Sequence, residues 1–439
     1  MLTPRGTQAS DPPGLWAPLR HREFRLLWAG FIVSHVGDFV QLIAQNWLVV
    51  GLTRSALRVA VVAFAQALPR LLVSLFAGVL VDRVDRRRLL VVTQSLAALQ
   101  SVLFLALVVT HRVTYGALVA LAFALGLLDS LNLTARQAVM PTLVPRELIA
   151  RAVALQSLGV NVTQILGPLV SALVLGLLGV AGCLALNALS FTLLIATLVR
   201  LELPKTEAPP PGRSFTDDLR EGVGYVRSHP EVLHPIVFAY ALGVLGMPLV
   251  RLLPLFSRVV LATTPQGYSL LAAASGVGAL AASLLITARA SRADLPRNVV
   301  ASGVTFSAAL VAFAFTRSYA LSWVVLVVFG ASQMAFRSAV VTLLQLEVPD
   351  RMRGRVMSVL SIDFSLWSIG ATVVGVVADA LARSHARLPA RVDRSLLPPD
   401  AVAWGLSRSL ALHGALCLAV MLALAAPFLR AAAPRKDVA

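Results

Sequence analysis

Twelve apolar stretches, each long enough to cross a lipid bilayer, divide this chain of 439 residues. A membrane-spanning helix needs roughly 20 apolar residues, because the hydrocarbon core is about 30 Å thick and a helix rises 1.5 Å per residue. Backbone groups in hydrocarbon must be hydrogen-bonded internally, which favours helices over irregular structure. The sequence therefore predicts an all-α integral membrane protein with twelve transmembrane helices. The stretches are 27–52, 57–81, 89–110, 114–138, 148–178, 180–200, 233–260, 267–289, 298–316, 319–345, 355–381 and 404–429.

Composition supports a lipid environment. Hydrophobic residues make up 58% of the chain and charged residues 13%, and the mean hydropathy is +0.81, whereas soluble domains carry about 25% charged residues. The net charge of +17 comes from arginines between the apolar stretches, which is typical of loops facing anionic lipid rather than of nucleic-acid binding. Cys183 and Cys417 lie inside separate apolar stretches and indicate neither a disulfide nor a metal site. We expect the lipid bilayer as a partner, and no nucleic acid, metal or cofactor.

The two halves of the chain resemble each other. The segment RQAVMPTLVPRELIARAVALQS at 136–157 is echoed by RSAVVTLLQLEVPDRMRGRVMSVLS at 337–361, which places Arg136 and Arg337 at matching positions. Internal duplication of membrane halves is typical of alternating-access transporters. We therefore expect two pseudo-symmetric six-helix bundles.

The stretch between the bundles is predicted to be a linker that carries a surface helix. Pro209–Pro211 exclude a helix at that point, but the next residues place Phe215, Leu219, Val223 and Val226 on one helical face, which is typical of an amphipathic helix on the membrane surface. The predicted segments are a cytoplasmic N-terminal tail at 1–26, a bundle at 27–200, a cytoplasmic linker at 201–232, a bundle at 233–430 and a cytoplasmic tail at 431–439.

Arginines predict the orientation of the chain, because basic loops stay on the cytoplasmic side. The loops after the second, fourth, eighth and tenth predicted helices carry Arg83, Arg86, Arg87, Arg88, Arg146, Arg151, Arg289, Arg292, Arg297, Arg351, Arg353 and Arg355. Both termini are then cytoplasmic. One loop disagrees, because 382–403 would be extracellular although it holds four arginines. The excess of arginine over lysine is typical of a GC-rich bacterial gene, and we expect a multi-pass protein of the bacterial plasma (inner) membrane.

The charged stretch GVLVDRVDRRRLL at 78–90 falls between the second and third predicted helices. Its pattern resembles the loop motif of the major facilitator superfamily, with Asp85 in place of the second glycine of the motif. The matching residues are Gly78, Leu80, Asp82, Arg83, Arg86 and Arg87. The resemblance implies a gating loop that holds the two halves together when the cavity opens outward. The alternative is an ordinary basic cytoplasmic loop.

Four further segments narrow the resemblance. Residues 24–49, 69–90, 135–157 and 215–230 are together similar to the facilitator branch that includes the enterobactin exporter and macrolide efflux proteins. The resemblance covers almost the whole chain, and it implies that the first, fourth, seventh and tenth helices line a central cavity. Candidate cavity residues are then Asp38, Asp129, Arg251 and Arg337.

Ionisable residues in spanning helices are costly and therefore indicate functional sites. Asp38 and Arg70 lie at similar depths in the first two predicted helices, about 18 Å from the cytoplasmic surface at 1.5 Å per residue. We expect them to meet, either as a proton-coupling pair that separates during transport or as a static pair. Gln41 and Gln45 continue the polar face of Asp38, and Asp129 is a second candidate carboxylate for proton coupling or substrate binding.

Three further charged residues lie towards the cytoplasmic ends of helices. Arg136, Arg337 and Asp363 are interpreted either as anchors of those ends or as gating residues.

These features favour a secondary active transporter. No G-x-x-x-x-G-K-[ST] phosphate-binding loop is present, so the energy would come from a proton gradient. We expect a monomeric, proton-coupled exporter of amphiphilic small molecules of the drug, macrolide or siderophore kind. A lysophospholipid or metabolite transporter, working as a flippase or in uptake, is the alternative on the same fold. A membrane enzyme or sensor is disfavoured, because no cluster of catalytic residues or soluble output domain is present.

Overall fold

The computed structural model describes residue 14 and residues 16–201, 215–289, 294–388 and 397–431. Within these ranges the side chains of 70–71, 74–83, 215–219, 286–289 and 364 are not described.

The described residues form fourteen α-helices. The first seven are α1 (Arg22–Leu52), α2 (Ala56–Arg83), α3 (Arg86–Val109), α4 (Tyr115–Val139), α5 (Ile149–Arg200), α6 (Phe215–Ser228) and α7 (Pro230–Ala241). The others are α8 (Pro248–Val259), α9 (Pro265–Arg289), α10 (Leu295–Phe315), α11 (Tyr319–Glu347), α12 (Asp350–Ser361), α13 (Asp363–His385) and α14 (Pro399–Ala431).

These helices make twelve membrane crossings. Ten helical stretches of the described chain are long and apolar enough to span a membrane, and α2, with 28 residues, adds another. The helix α5 has 52 residues, about 78 Å of helix and far more than one crossing. Its chain reverses at Gly179, where φ is 66°, a left-handed value that favours glycine. The twelve spans predicted from the apolar stretches are therefore present.

Two spans are interrupted where the sequence predicts continuous helices. The seventh span consists of α7, a π-helical turn at Leu242–Gly246 and α8. Pro248 follows this turn and has no N–H to donate, so the backbone widens before it. The eleventh span begins earlier than predicted, as α12, and breaks at Ile362 before α13.

Equivalent contacts in the two halves establish their pseudo-symmetry. Tyr115 begins α4 and donates its hydroxyl proton to the carbonyl of Arg58 at 2.9 Å. Tyr319 begins α11 and donates in the same way to the carbonyl of Gly267 at 3.0 Å. Each accepting carbonyl lies near the start of the helix that packs beside the tyrosine.

Two glycines repeat this relationship deeper in the membrane. A Cβ on Gly126 of α4 would overlap the carbonyl oxygen of Gln66, and a Cβ on Gly330 of α11 would overlap that of Ser275. With Gly126 matched to Gly330, Arg136 falls opposite Val340. The predicted match of Arg136 with Arg337 is therefore wrong by three residues, which is about 4.5 Å along a helix.

The halves meet through α2 against α13 and through the first arm of α5 against α9. We call the end of the bundle that carries the turn between α1 and α2 the distal end, and the end that carries the start of α1 and the turn between α2 and α3 the proximal end. Asp379, near the end of α13, accepts hydrogen bonds from the backbone N–H groups of Ala56 at 2.8 Å and Leu57 at 3.4 Å, and from the hydroxyl of Ser55. Asn46 also donates to the hydroxyl of Tyr268 at 3.4 Å. These contacts close the two halves against each other at the distal end.

The linker helix α6 packs against α12 of the second half. Arg355 of α12 forms an ion pair of 2.7 Å with Glu221, and Gly222 lies against the Arg355 carbonyl. Val226, predicted to face the membrane surface, is buried in the protein core at 4% exposure. The side chains of Phe215 and Leu219 and the residues 202–214 lie outside the described part of the chain, so the rest of the predicted linker stays a prediction.

The distal end is basic. Among the described residues it carries eight arginines and two aspartates, Asp379 and Asp400, and Asp379 is engaged by the start of α2. The arginines are Arg54, Arg58, Arg112, Arg258, Arg317, Arg383, Arg387 and Arg408. Arg391 and Arg394, the other arginines of the exceptional loop, lie outside the described residues.

Candidate functional site

A cavity of about 160 Å³ lies inside the first half. All five helices of that half, α1 to α5, contribute to its wall. Its lining is Phe31, Ser34, His35, Asp38, Phe39, Leu42, Gln66, Thr93, Gln94, Ala97, Leu125, Leu128, Asp129, Asn132, Leu133, Arg136 and Phe191.

Four charged or titratable side chains share this cavity. His35 and Asp38 lie one turn apart on α1, with 3.7 Å between Nδ1 and Oδ2. Asp129 and Arg136 lie on the same face of α4, because residues seven apart are nearly aligned on a helix. The guanidinium of Arg136 lies 5.1 Å from the centre of the Phe31 ring, within the range of a cation–π contact. The structure therefore brings together three predicted site residues, Asp38, Asp129 and Arg136.

Aromatic side chains form the apolar part of the wall. His35 and Phe39 meet edge to face with ring centres 5.3 Å apart, and Phe191 reaches the cavity from the second arm of α5. The combination of rings with carboxylates suits a ligand that has both an apolar body and a polar group. Sequence reasoning missed Phe191, Gln66 and Gln94, because nothing in their local pattern shows which neighbour they face.

Gln41 points away from the cavity into a buried network of polar side chains. Its amide nitrogen donates to Oε1 of Gln100 at 3.1 Å. Its amide oxygen accepts from Ser101 at 2.8 Å and from Asn187 at 3.0 Å. Gln41 thus joins α1 to α3 and to the second arm of α5. Gln45 is also buried and is not among the cavity residues, so the predicted polar face of α1 divides into a cavity part and a packing part.

The predicted gating loop is described only at its end. The side chains of Gly78, Asp82 and Arg83, and that of Arg70, lie outside the described residues, so the pairing of Arg70 with Asp38 stays a prediction. Arg86 donates to the carbonyl of Ala138 at 3.4 Å, and Arg87 donates to that of Leu198 at 3.1 Å.

Both acceptors lie at helix ends, where the last carbonyls have no partner within the helix and attract cations. The two arginines therefore hold the loop to its own half in this conformation.

The second half contains a smaller cavity of about 30 Å³ with its own charged pair. Arg337 of α11 and Asp363 at the start of α13 approach to 3.4 Å between Nη1 and Oδ2, and the Asp363 side chain is 8% exposed. Gly243 of the π-helical turn lies against the Asp363 carboxylate. Of the three predicted helix-end residues, Arg337 and Asp363 are therefore paired, whereas Arg136 belongs to the other half.

No group of three or more His, Cys, Asp or Glu side chains could hold a metal ion in the part of the chain that the structure describes. Cys183 and Cys417 are both buried, free thiols.

Two pseudo-symmetric six-helix halves with a charged intramembrane cavity define a polytopic membrane transporter. The model of the family described as "Transmembrane secretion effector" matches residues 13–393. The chain belongs to this family of the major facilitator superfamily, and it is a transporter of the efflux branch. The predicted superfamily, branch and fold are thereby confirmed.

Comparison with known proteins supports the same assignment. The chain is 21% identical over 345 residues to the staphyloferrin A transporter of Staphylococcus aureus, covering 78% of this chain and 86% of the relative. It is 27% identical over 365 residues to the multidrug efflux pump Tap of Mycolicibacterium fortuitum, covering 80% and 87%. A bacterial homologue of the human lysosomal transporter Spinster, solved in an inward-facing and occupied conformation, has a TM-score of 0.71 at 14% identity, covering 94% and 97%. The last similarity shows the fold alone.

Proposed function

We propose that this protein is a proton-coupled secondary active exporter of amphiphilic small molecules. The observation that carries the proposal is the cavity in which Asp38, His35 and Asp129 face phenylalanine rings inside the membrane. Phenylalanine side chains contribute apolar contact area, and the carboxylates supply charge for a polar or cationic group. The siderophore transporter and the multidrug pump among the relatives support a cargo of this amphiphilic kind.

Asp38 is the proposed proton carrier. Its carboxylate lies within 3.7 Å of the His35 imidazole in a cavity with aromatic walls. In the proposed cycle this carboxylate holds either a proton or the cationic group of the cargo. Cargo and proton therefore compete for one charge, which is the requirement for antiport. The proton gradient supplies the energy, worth about 2.3 kcal/mol per charge for each 100 mV of membrane potential, and the proposal involves no cofactor and no enzymatic activity.

Alternating access is the proposed transport cycle. The contacts of Asp379 and Tyr268 close the distal end, while Arg86 and Arg87 hold the gating loop to its own half. We assign this arrangement to the inward-facing state, with the proximal end at the cytoplasm. In the outward-facing state the distal contacts break, and the loop of Gly78, Asp82, Arg83, Arg86 and Arg87 joins the two halves instead.

We propose that both termini lie in the cytoplasm and that the protein resides in the bacterial inner membrane. The arginines of the proximal loops support it. Each half supplies its own charged cavity, so we propose that the monomer is the functional unit.

The test is export from an efflux-deficient bacterium. Cells expressing the wild type, Asp38→Asn or Asp400→Asn are loaded with lipophilic cations, macrolides or a catecholate siderophore, with and without an uncoupler. We expect the wild type and Asp400→Asn, a distal control, to exclude one class of compound. The uncoupler and Asp38→Asn should each abolish that exclusion.

Unchanged accumulation of every compound, with the wild-type protein present in the membrane, would contradict drug or siderophore export. Reconstituted vesicles containing fluorescent lysophospholipid then test the alternative, lipid transport. Exclusion that survives both the uncoupler and Asp38→Asn would retain export but contradict proton coupling.

A further inference from the structure

Four side chains form a stack at the distal end of the second half. The guanidinium of Arg408 in α14 lies 5.9 Å from the ring centre of Phe315 and 5.6 Å from that of Trp404. Trp404 stacks in turn on His385, with ring centres 4.5 Å apart and planes 9° from parallel. We call these four residues the distal arginine stack. It joins the ends of α10 and α13 to the first turns of α14.

The stack lies on the protein surface, at the distal ends of membrane-spanning helices. Phe315 is the last residue of α10 and is 52% exposed, although it belongs to an apolar spanning helix. Arg408 and His385 are also exposed. Phe315 ends the apolar helix α10 at the distal end, which puts its ring and the Arg408 guanidinium, 5.9 Å apart, at one edge of the membrane-spanning segments.

Charge at this end requires an explanation. The distal end of the described chain carries eight arginines against two aspartates, although basic residues are normally concentrated on the other side of such proteins. Arg317, two residues beyond Phe315, donates to the backbone carbonyls of Ala314 at 3.4 Å and Thr316 at 2.8 Å. Asp400, four residues before Trp404, is the acidic residue nearest in sequence on α14. An anionic ligand from the bilayer would compensate this excess of positive charge.

We propose that the distal arginine stack binds the phosphate of an anionic phospholipid in the distal leaflet. A guanidinium is planar and presents its N–H groups as a fork that matches two phosphate oxygens. The rings of Phe315 and Trp404 lie within cation–π range of this guanidinium, so part of the entropy cost of ordering the side chain is already met. The exposed ring of Phe315 contacts the acyl chain of the same lipid. A phospholipid, unlike a soluble phosphate, uses both the guanidinium and the ring.

The site is separate from the transport cavity. Phe315, Trp404 and Arg408 belong to α10 and α14, whereas the cavity of Asp38 is built by α1 to α5. Lipid binding at the stack is therefore measurable without transport.

The experiment measures binding of phosphatidylglycerol to the purified protein in detergent, by native mass spectrometry and by the shift of the unfolding temperature. Phosphatidylcholine with the same acyl chains is the neutral comparison. The variants are Arg408→Gln and, as a matched control, Arg112→Gln, which removes an exposed distal arginine outside the stack. We expect phosphatidylglycerol to bind the wild type and Arg112→Gln equally. Arg408→Gln should bind phosphatidylglycerol about tenfold more weakly, because the variant loses at least one hydrogen bond between charged groups.

Equal phosphatidylglycerol binding by the wild type and Arg408→Gln would overturn the proposal, and so would equal binding of the two lipids by the wild type. Glycerol 1-phosphate is tested in parallel, and a stabilisation by it equal to that by the lipid would assign the site to a soluble anion instead. If Arg408→Gln does not fold, Arg408→Lys takes its place. It keeps the charge but loses the fork, so weaker lipid binding supports the proposal and wild-type binding contradicts it.

Discussion

Asp379 of α13 accepts a hydrogen bond of 2.8 Å from the backbone N–H of Ala56, the first residue of α2. A carboxylate from the second half thus caps the start of a helix in the first half. The first N–H groups of a helix have no partner within the helix and carry a partial positive charge. Asp379 is buried, with 1% of its surface exposed. Opening the distal end must therefore expose both the carboxylate and these N–H groups to water.

The first prediction concerns this contact. Asp379→Asn keeps the shape of the side chain but removes its charge, so we expect the distal-closed state to lose about 1–2 kcal/mol, a shift of roughly tenfold in the closed-to-open ratio. Spin labels at Arg54→Cys and Gln266→Cys would report the distance across the distal end. The variant should show a larger population of long distances. Asp400→Asn removes a distal charge outside this contact, and a shift of the same size in that control would contradict the prediction.

A second prediction separates the packing role of Gln41 from a transport role. Gln41→Leu leaves Ser101 and Asn187 without the amide oxygen that they share. We expect a loss of about 1–3 kcal/mol in the free energy of unfolding, because buried polar groups are left unsatisfied. Thermal unfolding in detergent measures it. Gln45→Leu, a buried glutamine on the same helix, is the control. Normal stability of Gln41→Leu together with lost transport would assign Gln41 to the substrate path instead.

A third prediction uses the repeated close approach of backbones. Gly126→Val and Gly330→Val each force a side chain against the carbonyl of a neighbouring helix. Overpacking of this kind typically lowers the free energy of unfolding by about 1–3 kcal/mol. We expect both variants to give little folded protein, judged by gel filtration. Gly116→Val, in the same helix as Gly126 but with no atom within 4 Å of the added Cβ position, should fold normally. A different outcome for the two halves would argue against their equivalence at this level.

The fourth prediction concerns the ion pair of the second half. Arg337 and Asp363 approach to 3.4 Å, and Asp363 is nearly buried, so removing the guanidinium takes an opposite charge away from a buried carboxylate. We expect Arg337→Gln and Asp363→Asn each to reduce transport and stability. The double variant should lose less than the sum of the two single losses. A double-mutant cycle on the unfolding temperature and on the transport rate measures the coupling. Additive effects would show that the pair contributes nothing as a unit.

Several features of the fold follow from the sequence because the bilayer imposes them. Its thickness requires about 20 apolar residues per span, so hydropathy locates twelve crossings. Two of these crossings are the two arms of α5, which meet at Gly179. The cost of charge in hydrocarbon likewise selects Asp38 and Asp129 as candidates, and the structure places both at one cavity.

Other features depend on which neighbour a helix face meets. The sequence predicts that Gln41 and Asp38 lie on the same face of α1. In the structure Gly37 allows the second arm of α5 to approach α1 closely, and Gln41 contacts Asn187 of that arm. Phe191 reaches the cavity for the same reason. The register of the repeat was mispredicted because the chain between Arg337 and Pro349 is three residues longer than that between Arg136 and Pro145. Matching the arginines hides this difference, which the contacts of Gly126 and Gly330 reveal.

The offset between Arg136 and Arg337 has an electrical consequence. Their helices run in the same direction, so Arg136 lies about 4.5 Å nearer the proximal surface than its counterpart across the pseudo-dyad. Arg337 faces Asp363 at 3.4 Å, whereas Arg136 shares its cavity with Asp38 and Asp129, so the charged groups of the two halves lie at different depths and the molecule is electrically asymmetric about its pseudo-dyad.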